Sequence, residues 1–239
     1  TNRLQDDTVP EIIRYQRLSR NLEQLRQEGE RVFAVSSPQA RQQALFVATL
    51  VASHPSVLDH RPAAELARQV ERFLAEVDFN TWNALHDAGQ TFAFGIAQKS
   101  GTFPHYAHLF QAYFDRWEET IGEPFAESVA LLKRLRRAGY RTFALTNFSK
   151  EMFPRARVLQ PLLGEFDGVV VSGEERLTKP DPAIYRLLCE RFDVQPQRAV
   201  FIDDSLPNVE GARRIGMHAI HFTAPERLEA QLADLGVGL

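Results

Sequence analysis

The sequence contains little sulfur and no long hydrophobic run. Cys189 is the only cysteine among 239 residues, which excludes a disulfide bond within the chain and is typical of a reducing compartment. The longest largely apolar run, residues 44–52, is far too short to span a bilayer. The first 20 residues are polar and of mixed charge, unlike a secretory signal peptide. These absences predict a cytoplasmic protein without a membrane-spanning segment.

The sequence also lacks a strong excess of either charge. Its 28 Lys and Arg residues nearly balance 31 Asp and Glu residues, and the formal net charge is −3. Such a chain offers no general electrostatic attraction for nucleic acid or for an anionic membrane, so neither is an expected partner. The hydrophobic fraction of 44% suffices for a sizeable core. A monomer or a homodimer is expected.

The second half of the chain alternates short apolar segments with amphipathic ones. Apolar segments, three of them rich in Val, Ile or Phe, occur at 141–146, 168–172, 199–203 and 218–222. Between them, "KPDPAIYRLLCERF" has prolines in its first turn, as helices commonly do. Strands that are apolar throughout and alternate with helices indicate a parallel sheet covered by helices on both faces. The predicted fold is therefore α/β, a doubly wound parallel sheet.

A region with a different pattern precedes these strands. Residues 60–124 have helical spacing and contain no good strand candidate, whereas "ALFVATLV" at 44–51 is a strong one. We therefore predict a core formed by 44–59 and 125–239, interrupted by a helical cap subdomain at 60–124. A helical extension is predicted for residues 1–43.

Polar side chains follow three of the predicted strands, at the edge where parallel α/β sheets bind ligands. Thr146 and Asn147 follow the first, Lys179 lies in the loop region after the second, and Asp203 and Asp204 end the third. A hydroxyl, an amide and an ammonium can donate to phosphate oxygens, and two carboxylates suit Mg²⁺. Each group alone is as typical of a turn, a helix cap or a solvated surface. Together, in this order, they predict one anion and metal site.

The same residues carry a resemblance to a known family. The chain resembles motifs two to four of the haloacid dehalogenase superfamily, in the subfamily whose helical cap follows the first strand. The matching segments are Thr146-Asn147, Lys179-Pro180-Asp181-Pro182 and Phe201-Ile202-Asp203-Asp204-Ser205. The similarity extends from about Glu71 to the end of the sequence.

The resemblance implies a role for each of these residues. Thr146 would bind the transferring phosphoryl group as a catalytic residue, and Asn147 would help to orient it. Lys179 would neutralise charge during catalysis, and Asp203 and Asp204 would hold Mg²⁺. Asn208 lies where the family often supports that acidic loop.

The implied reaction is magnesium-dependent hydrolysis of a small phosphate monoester, with a small phosphorylated or acidic metabolite as the partner. The family's dehalogenases need no metal and usually have non-acidic residues within the fourth motif. The intact Asp203-Asp204 pair therefore resembles the phosphohydrolases, and a 2-haloacid dehalogenase-like hydrolase is a further alternative.

The family's first motif, which supplies the nucleophilic aspartate, is not recognisable. If Asp59 matches a later aspartate of that motif, Ala52 stands at the nucleophile position and His54 lies two residues further on. A shifted alignment places Ala48 at the nucleophile position instead. No Asp or Glu occurs between Glu30 and Asp59. Three hypotheses follow: a catalytically dead ligand-binding or scaffold protein, a relocated nucleophile at Asp59, or an upstream sequence read in a shifted frame. The resemblance favours an enzyme, a phosphohydrolase whose nucleophile is absent from this sequence.

Overall fold

The computed structural model describes residues 46–48, 50, 63–122 and 124–238, and these form two compact units. The first unit contains the described residues up to Trp82 together with Ala93–Thr120. The second contains Asn83–Phe92 and the described residues from Ile121 onward. The predicted extension at 1–43 lies outside the described residues.

The first unit is helical and has an aromatic core. It comprises α1 (Ala63–Glu76), the beginning of α2 (Phe79–Asp87), most of α3 (Phe92–Thr102), and α4 (Ala107–Asp115). Ring centroids of neighbouring aromatic residues lie 5.0–6.0 Å apart, a range in which tilted and edge-to-face pairs attract. These pairs join five buried rings, those of Phe73, Phe79, Trp82, Phe110 and Tyr113. Their helical spacing in the sequence thus reflects a shared core.

The prediction of a strand at 44–51 is wrong for the residues of this segment that the structure describes. Phe46, Val47, Ala48 and Leu50 are helical and buried, and the ring centroid of Phe46 lies 5.9 Å from that of Tyr113. A short, uniformly apolar run suits a buried helix as well as a buried strand, so periodicity cannot distinguish the two. The described part of 44–59 therefore belongs to the helical unit and not to the α/β core. Ala52, His54 and Asp59 lie outside the described residues.

Burial of Ala48 gives a first testable prediction. Its side chain is completely inaccessible to solvent. Ala48→Asp should lower the free energy of unfolding by roughly 3 kcal/mol or more, because it buries a carboxylate without a partner. Urea unfolding of the variant measures this. The control Ala130→Asp places the same charge on an exposed helical position and should cost about 0.5 kcal/mol, the difference in helix propensity. Equal losses in both variants would contradict the placement of Ala48.

The second unit alternates strands and helices. Its four strands are β1 (Phe143–Thr146), β2 (Gly168–Val171), β3 (Val200–Asp203) and β4 (His218–His221). Its helices besides the end of α2 are α5 (Ala126–Arg137), α6 (Phe153–Leu159), α7 (Ser172–Glu175), α8 (Pro182–Phe192), α9 (Leu206–Arg214) and α10 (Pro225–Asp234). Asp181 caps α8 by accepting a 2.8 Å bond from the backbone N–H of Ala183, and Pro182 occupies the first turn.

The strands pair in parallel. Among the described residues they form two two-stranded sheets, with Thr146 of β1 opposite Val171 of β2 and Asp203 of β3 opposite His221 of β4. Strand residues pack into two separate apolar layers. Val170 and partly buried Phe201 lie in a layer with helices α8 and α9, and Ile220 packs with helices α5 and α10 in the other. Helices thus cover the strands on both faces, which confirms the predicted doubly wound α/β fold.

The longest of the described helices, α1, has 14 residues. Among these helices, none combines the length and the apolar character needed to cross a bilayer.

Candidate functional site

The site begins at the carboxyl ends of β1 and β3. Thr146 is the last residue of β1 and Asn147 follows it, while Asp203 is the last residue of β3 and Asp204 follows. Lys179 lies in the loop between α7 and α8, which follows β2. Side-chain contacts bring these segments together, because Asn147 bonds to Lys179 and Lys179 bonds to Asp203.

Asn147 holds the backbone of Lys179 through two hydrogen bonds. Its amide Nδ2 donates to the main-chain oxygen of Lys179 at 2.9 Å, and its Oδ1 accepts from the N–H of Lys179 at 2.8 Å. The side-chain amide of Asn147 thereby links the two loops in the way that backbone groups link paired strands. The residue fixes where the lysine side chain starts, a role that the sequence did not predict.

Lys179 and Asp203 form a buried ion pair. The Nζ atom of Lys179 donates to Oδ2 of Asp203 at 2.6 Å, and only 10% and 7% of the two side chains are exposed. The other oxygen of Asp203, Oδ1, accepts from the N–H of Ser205 and from Nδ2 of Asn208, each at 2.9 Å. A carboxylate has about four acceptor positions, so three are occupied and one on Oδ2 remains. The hydrogen bonds compensate for burying the pair.

Asp204 is exposed beside this buried pair. Its main-chain oxygen lies 2.9 Å from Nε2 of His221, which holds the loop after β3 against the end of β4. The structure thus brings Asn147, Lys179 and Asp203 into direct contact. Thr146 is the last residue of β1, directly before Asn147, and Asp204 follows Asp203 and is exposed. The catalytic and binding roles of these five residues stay predictions.

The donor set is suited to Mg²⁺ only in part. The described residues contain no group of three or more His, Cys, Asp or Glu side chains that could form a complete metal site. Mg²⁺ commonly uses one or two carboxylates and completes its shell with water and substrate phosphate. The exposed carboxylate of Asp204 and the remaining acceptor position of Asp203 fit that mode. They do not fit a cage made entirely of protein ligands.

A further carboxylate near the site was not predicted from the sequence. Asp87 ends α2 and is partly buried in the α/β unit. Burial raises the pKa of its carboxyl group to about 7, and the N–H of Ser149 and the charge of Lys179 act in the opposite direction. In the sequence Asp87 reads as the end of an amphipathic helix, and nothing there signals its approach to Lys179. The nearness of Asp87 to Lys179 depends on tertiary packing.

Close packing of the loops after β1 and β2 gives a second testable prediction. A Cβ atom on Gly173 would lie 2.6 Å from the backbone nitrogen of Lys150 and 2.7 Å from the oxygen of Phe148. Gly173→Ala should therefore destabilise the fold by about 1–3 kcal/mol, because backbone atoms must move apart. Gly101→Ala, whose Cβ would contact nothing within 4 Å, should be neutral or stabilising. Urea unfolding compares them, and a neutral Gly173→Ala would contradict the packing.

Comparisons with known proteins show to which family the chain is similar. The sequence model of the haloacid dehalogenase-like hydrolase family matches residues 37–216, which is more than half of the chain. Over 109 residues the chain is 31% identical to a sesquiterpene phosphatase of Aspergillus oryzae, covering 45% of this chain and 56% of that protein. Over 108 residues it is 29% identical to (S)-2-haloacid dehalogenase 1 of a Pseudomonas species, covering 45% and 47%. The chain thus spans about half the length of these curated relatives.

A solved structure shares the fold. It is a haloacid dehalogenase family enzyme of Bacteroides thetaiotaomicron, crystallised as an aspartate-to-alanine mutant in complex with magnesium and inorganic phosphate. The TM-score is 0.52 at 19% identity, and the match covers 66% of this chain and 83% of the other.

Proposed function

The chain belongs to the haloacid dehalogenase-like hydrolase family, and we propose from this that it binds a small phosphate monoester at Lys179 and hydrolyses it with Mg²⁺. The observation that carries the proposal is the buried Lys179–Asp203 ion pair at the end of β3, with the carboxylate of Asp204 beside it. Phosphatases among the relatives and the magnesium and phosphate bound to the similar structure support it.

Each residue has a distinct part in this proposal. The ammonium of Lys179 is a compact cation that attracts the phosphate dianion, and Asp203 holds that ammonium in place. Thr146, at the end of β1, would supply a hydroxyl that can donate to a phosphate oxygen. Asn147 acts through Lys179, because its amide is occupied by the lysine backbone. It is therefore a positioning residue.

The proposed metal would lie next to the lysine. Asp204 and the remaining acceptor position of Asp203 would hold Mg²⁺. When bound, the ion supplies positive charge that stabilises the charge developing on the phosphoryl oxygens. We propose a small phosphorylated or acidic metabolite as the ligand, bound in the cytoplasm, where the single buried Cys189 stays reduced.

A second candidate function is binding without catalysis. The observation that favours it is the absence of any Asp or Glu between Glu30 and Asp59, where the family's nucleophile is expected. A protein with Lys179 and the two aspartates but without a nucleophile would still bind phosphate. A 2-haloacid dehalogenase-like reaction is the remaining alternative, and the matched dehalogenase among the relatives supports it.

Measuring the release of phosphate and of chloride distinguishes the phosphatase, the binding protein and the dehalogenase. We expect the purified protein to release phosphate slowly from an aryl phosphate when magnesium is present, and to release no chloride from 2-chloropropionate. Asp203→Asn should abolish the phosphate release, and Asp234→Asn, which removes an exposed carboxylate of α10, should not. Chloride release without phosphate release would favour the dehalogenase. Phosphate binding without turnover would favour the binding protein.

A further inference from the structure

A short segment brings Asp87 to the loops that form the site. We call residues 83–92 the strap; it belongs to the α/β unit. At one end, the N–H of Phe92 donates to Oε2 of Glu151 at 2.7 Å. Near its centre, Oγ of Ser172 donates to the main-chain oxygen of Asp87 at 2.5 Å. The strap is therefore fixed to the segments after both β1 and β2.

Glycine allows the strap to lie this close. The backbone of Gly89 has φ +100°, and a Cβ atom there would lie 3.0 Å from the main-chain oxygen of Gly173. The rings of His86 and Phe92 stack with centroids 3.8 Å apart, which stiffens the turn between them. The position of Asp87 is thus defined by packing on both sides.

Hydrogen bonds connect the backbone of Asp87 to the candidate site. Oγ of Ser172 donates to the main-chain oxygen of Asp87 and accepts from the N–H of Phe148, the residue after Asn147. The backbone of Ser149 and the charge of Lys179 both lower the pKa of the Asp87 carboxyl group, which burial raises. Other charged or titratable groups on the packed elements are His86 in the strap, Glu151 after β1 and Arg176 after β2. The charge that acts on Asp87 is that of Lys179. One ammonium therefore interacts with two carboxylates, Asp203 directly and Asp87 at longer range.

We propose that Asp87 is a third carboxylate of the site, which shares the Lys179 ammonium with Asp203 and so limits the affinity of the site for doubly charged anions. This rests on the proposed function in one respect, that Lys179 is the cation that attracts the anion. An ionised Asp87 competes for the same positive charge and repels an incoming dianion. A neutral Asp87 does not compete, so more of the positive charge of Lys179 is available to the ligand. Asp87 acts through Lys179 and is a positioning residue.

The pH dependence of anion binding follows from this arrangement. The pKa of Asp87 is raised to about 7, so its carboxyl is mostly neutral at pH 6 and mostly ionised at pH 8.5. Affinity for a dianion should therefore fall as the pH rises through about 7. Sulfate is a suitable probe, because it keeps its double charge over this range and phosphate does not.

Calorimetric titration with sulfate, with magnesium present throughout, tests the inference. For the wild type we expect the Kd to increase ~10-fold between about pH 6 and pH 8.5. Asp87→Asn should bind with the same Kd at both pH values, at least as tightly as the wild type at the lower one. Asp87→Glu should keep the wild-type dependence, and the exposed control Asp234→Asn should match the wild type. An Asp87→Asn variant with the wild-type pH dependence would overturn the inference.

A second measurement separates this inference from the proposed function. Carboxyl ¹³C NMR without any anion should show one aspartate that titrates near pH 7 and is missing in Asp87→Asn. In the double variant Lys179→Met/Asp203→Asn, its midpoint should rise by about 1 unit because the nearby cation is gone. An unchanged midpoint would overturn the coupling of Asp87 to Lys179. A shifted midpoint in a protein that binds no sulfate would overturn the proposed anion site while the coupling stands.

Discussion

Replacement of Lys179 by methionine should lower the free energy of unfolding by about 3–5 kcal/mol, although methionine keeps most of the side-chain volume. The variant leaves the buried carboxylate of Asp203 without the ammonium that lies 2.6 Å from it. Its hydrogen bonds with Ser205 and Asn208 remain and recover only part of the lost interaction. Denaturant unfolding of both proteins under identical conditions measures the difference.

Two further variants make this prediction specific. The double variant Lys179→Met/Asp203→Asn removes both charges and should be more stable than Lys179→Met alone, because no unpaired charge remains buried. Arg134→Met breaks the exposed Arg134–Glu229 pair, whose two hydrogen bonds are both 2.8 Å long, and should change stability little. A loss for Lys179→Met as small as that for Arg134→Met would show that the Lys179–Asp203 pair is solvated.

Slow catalysis is the second large effect expected. The wild type should turn over aryl phosphates several orders of magnitude below a typical kcat of about 10 s⁻¹. An aspartyl-phosphate route needs a carboxylate in the nucleophile position, and the candidates there, Ala52 and Ala48, have none. In the proposed site, Lys179, Thr146 and the aspartates would still bind and polarise phosphate, so turnover above the uncatalysed rate is expected.

Variants at the nucleophile candidates test the cause of slow catalysis. Ala48→Asp should restore no activity, since Ala48 is buried in a helix of the other unit. Ala52→Asp and Asp59→Asn examine the two remaining positions in the same aryl phosphate assay. Robust wild-type activity that disappears in Asp59→Asn would make Asp59 the nucleophile. Robust activity in both the wild type and Asp59→Asn would show that the family's mechanism does not apply.

The α/β unit could be predicted from the sequence because its signal is local. All four strands lie within two residues of their predicted bounds, since each is a short run of apolar residues between turn residues or helices. The contact of Lys179 with Asp203 was also foreseeable, because parallel strands end at one edge. Their order along the chain was sufficient to place them together.

The helical conformation of Phe46, Val47, Ala48 and Leu50 and the approach of Asp87 were not foreseeable. The side chains of Phe46, Val47, Ala48 and Leu50 are all apolar, so their conformation is decided by what they pack against, here for Phe46 the ring of Tyr113. The strap brings Asp87 within electrostatic reach of Lys179. The path of the strap depends on contacts with Ser172 and Glu151, which lie far along the chain. Both features depend on tertiary packing, which leaves no periodic pattern in a single sequence.

Calorimetric titration of inorganic phosphate in the presence of magnesium tests the central claim most directly, that Lys179 and Asp203 form a phosphate site. The wild type should bind phosphate, and binding should weaken when magnesium is removed. The double variant Lys179→Met/Asp203→Asn should bind ~10–100-fold more weakly, the effect of losing a charged hydrogen-bond donor, while Arg134→Met should match the wild type. Phosphate binding of equal strength in the double variant and the wild type would contradict the account.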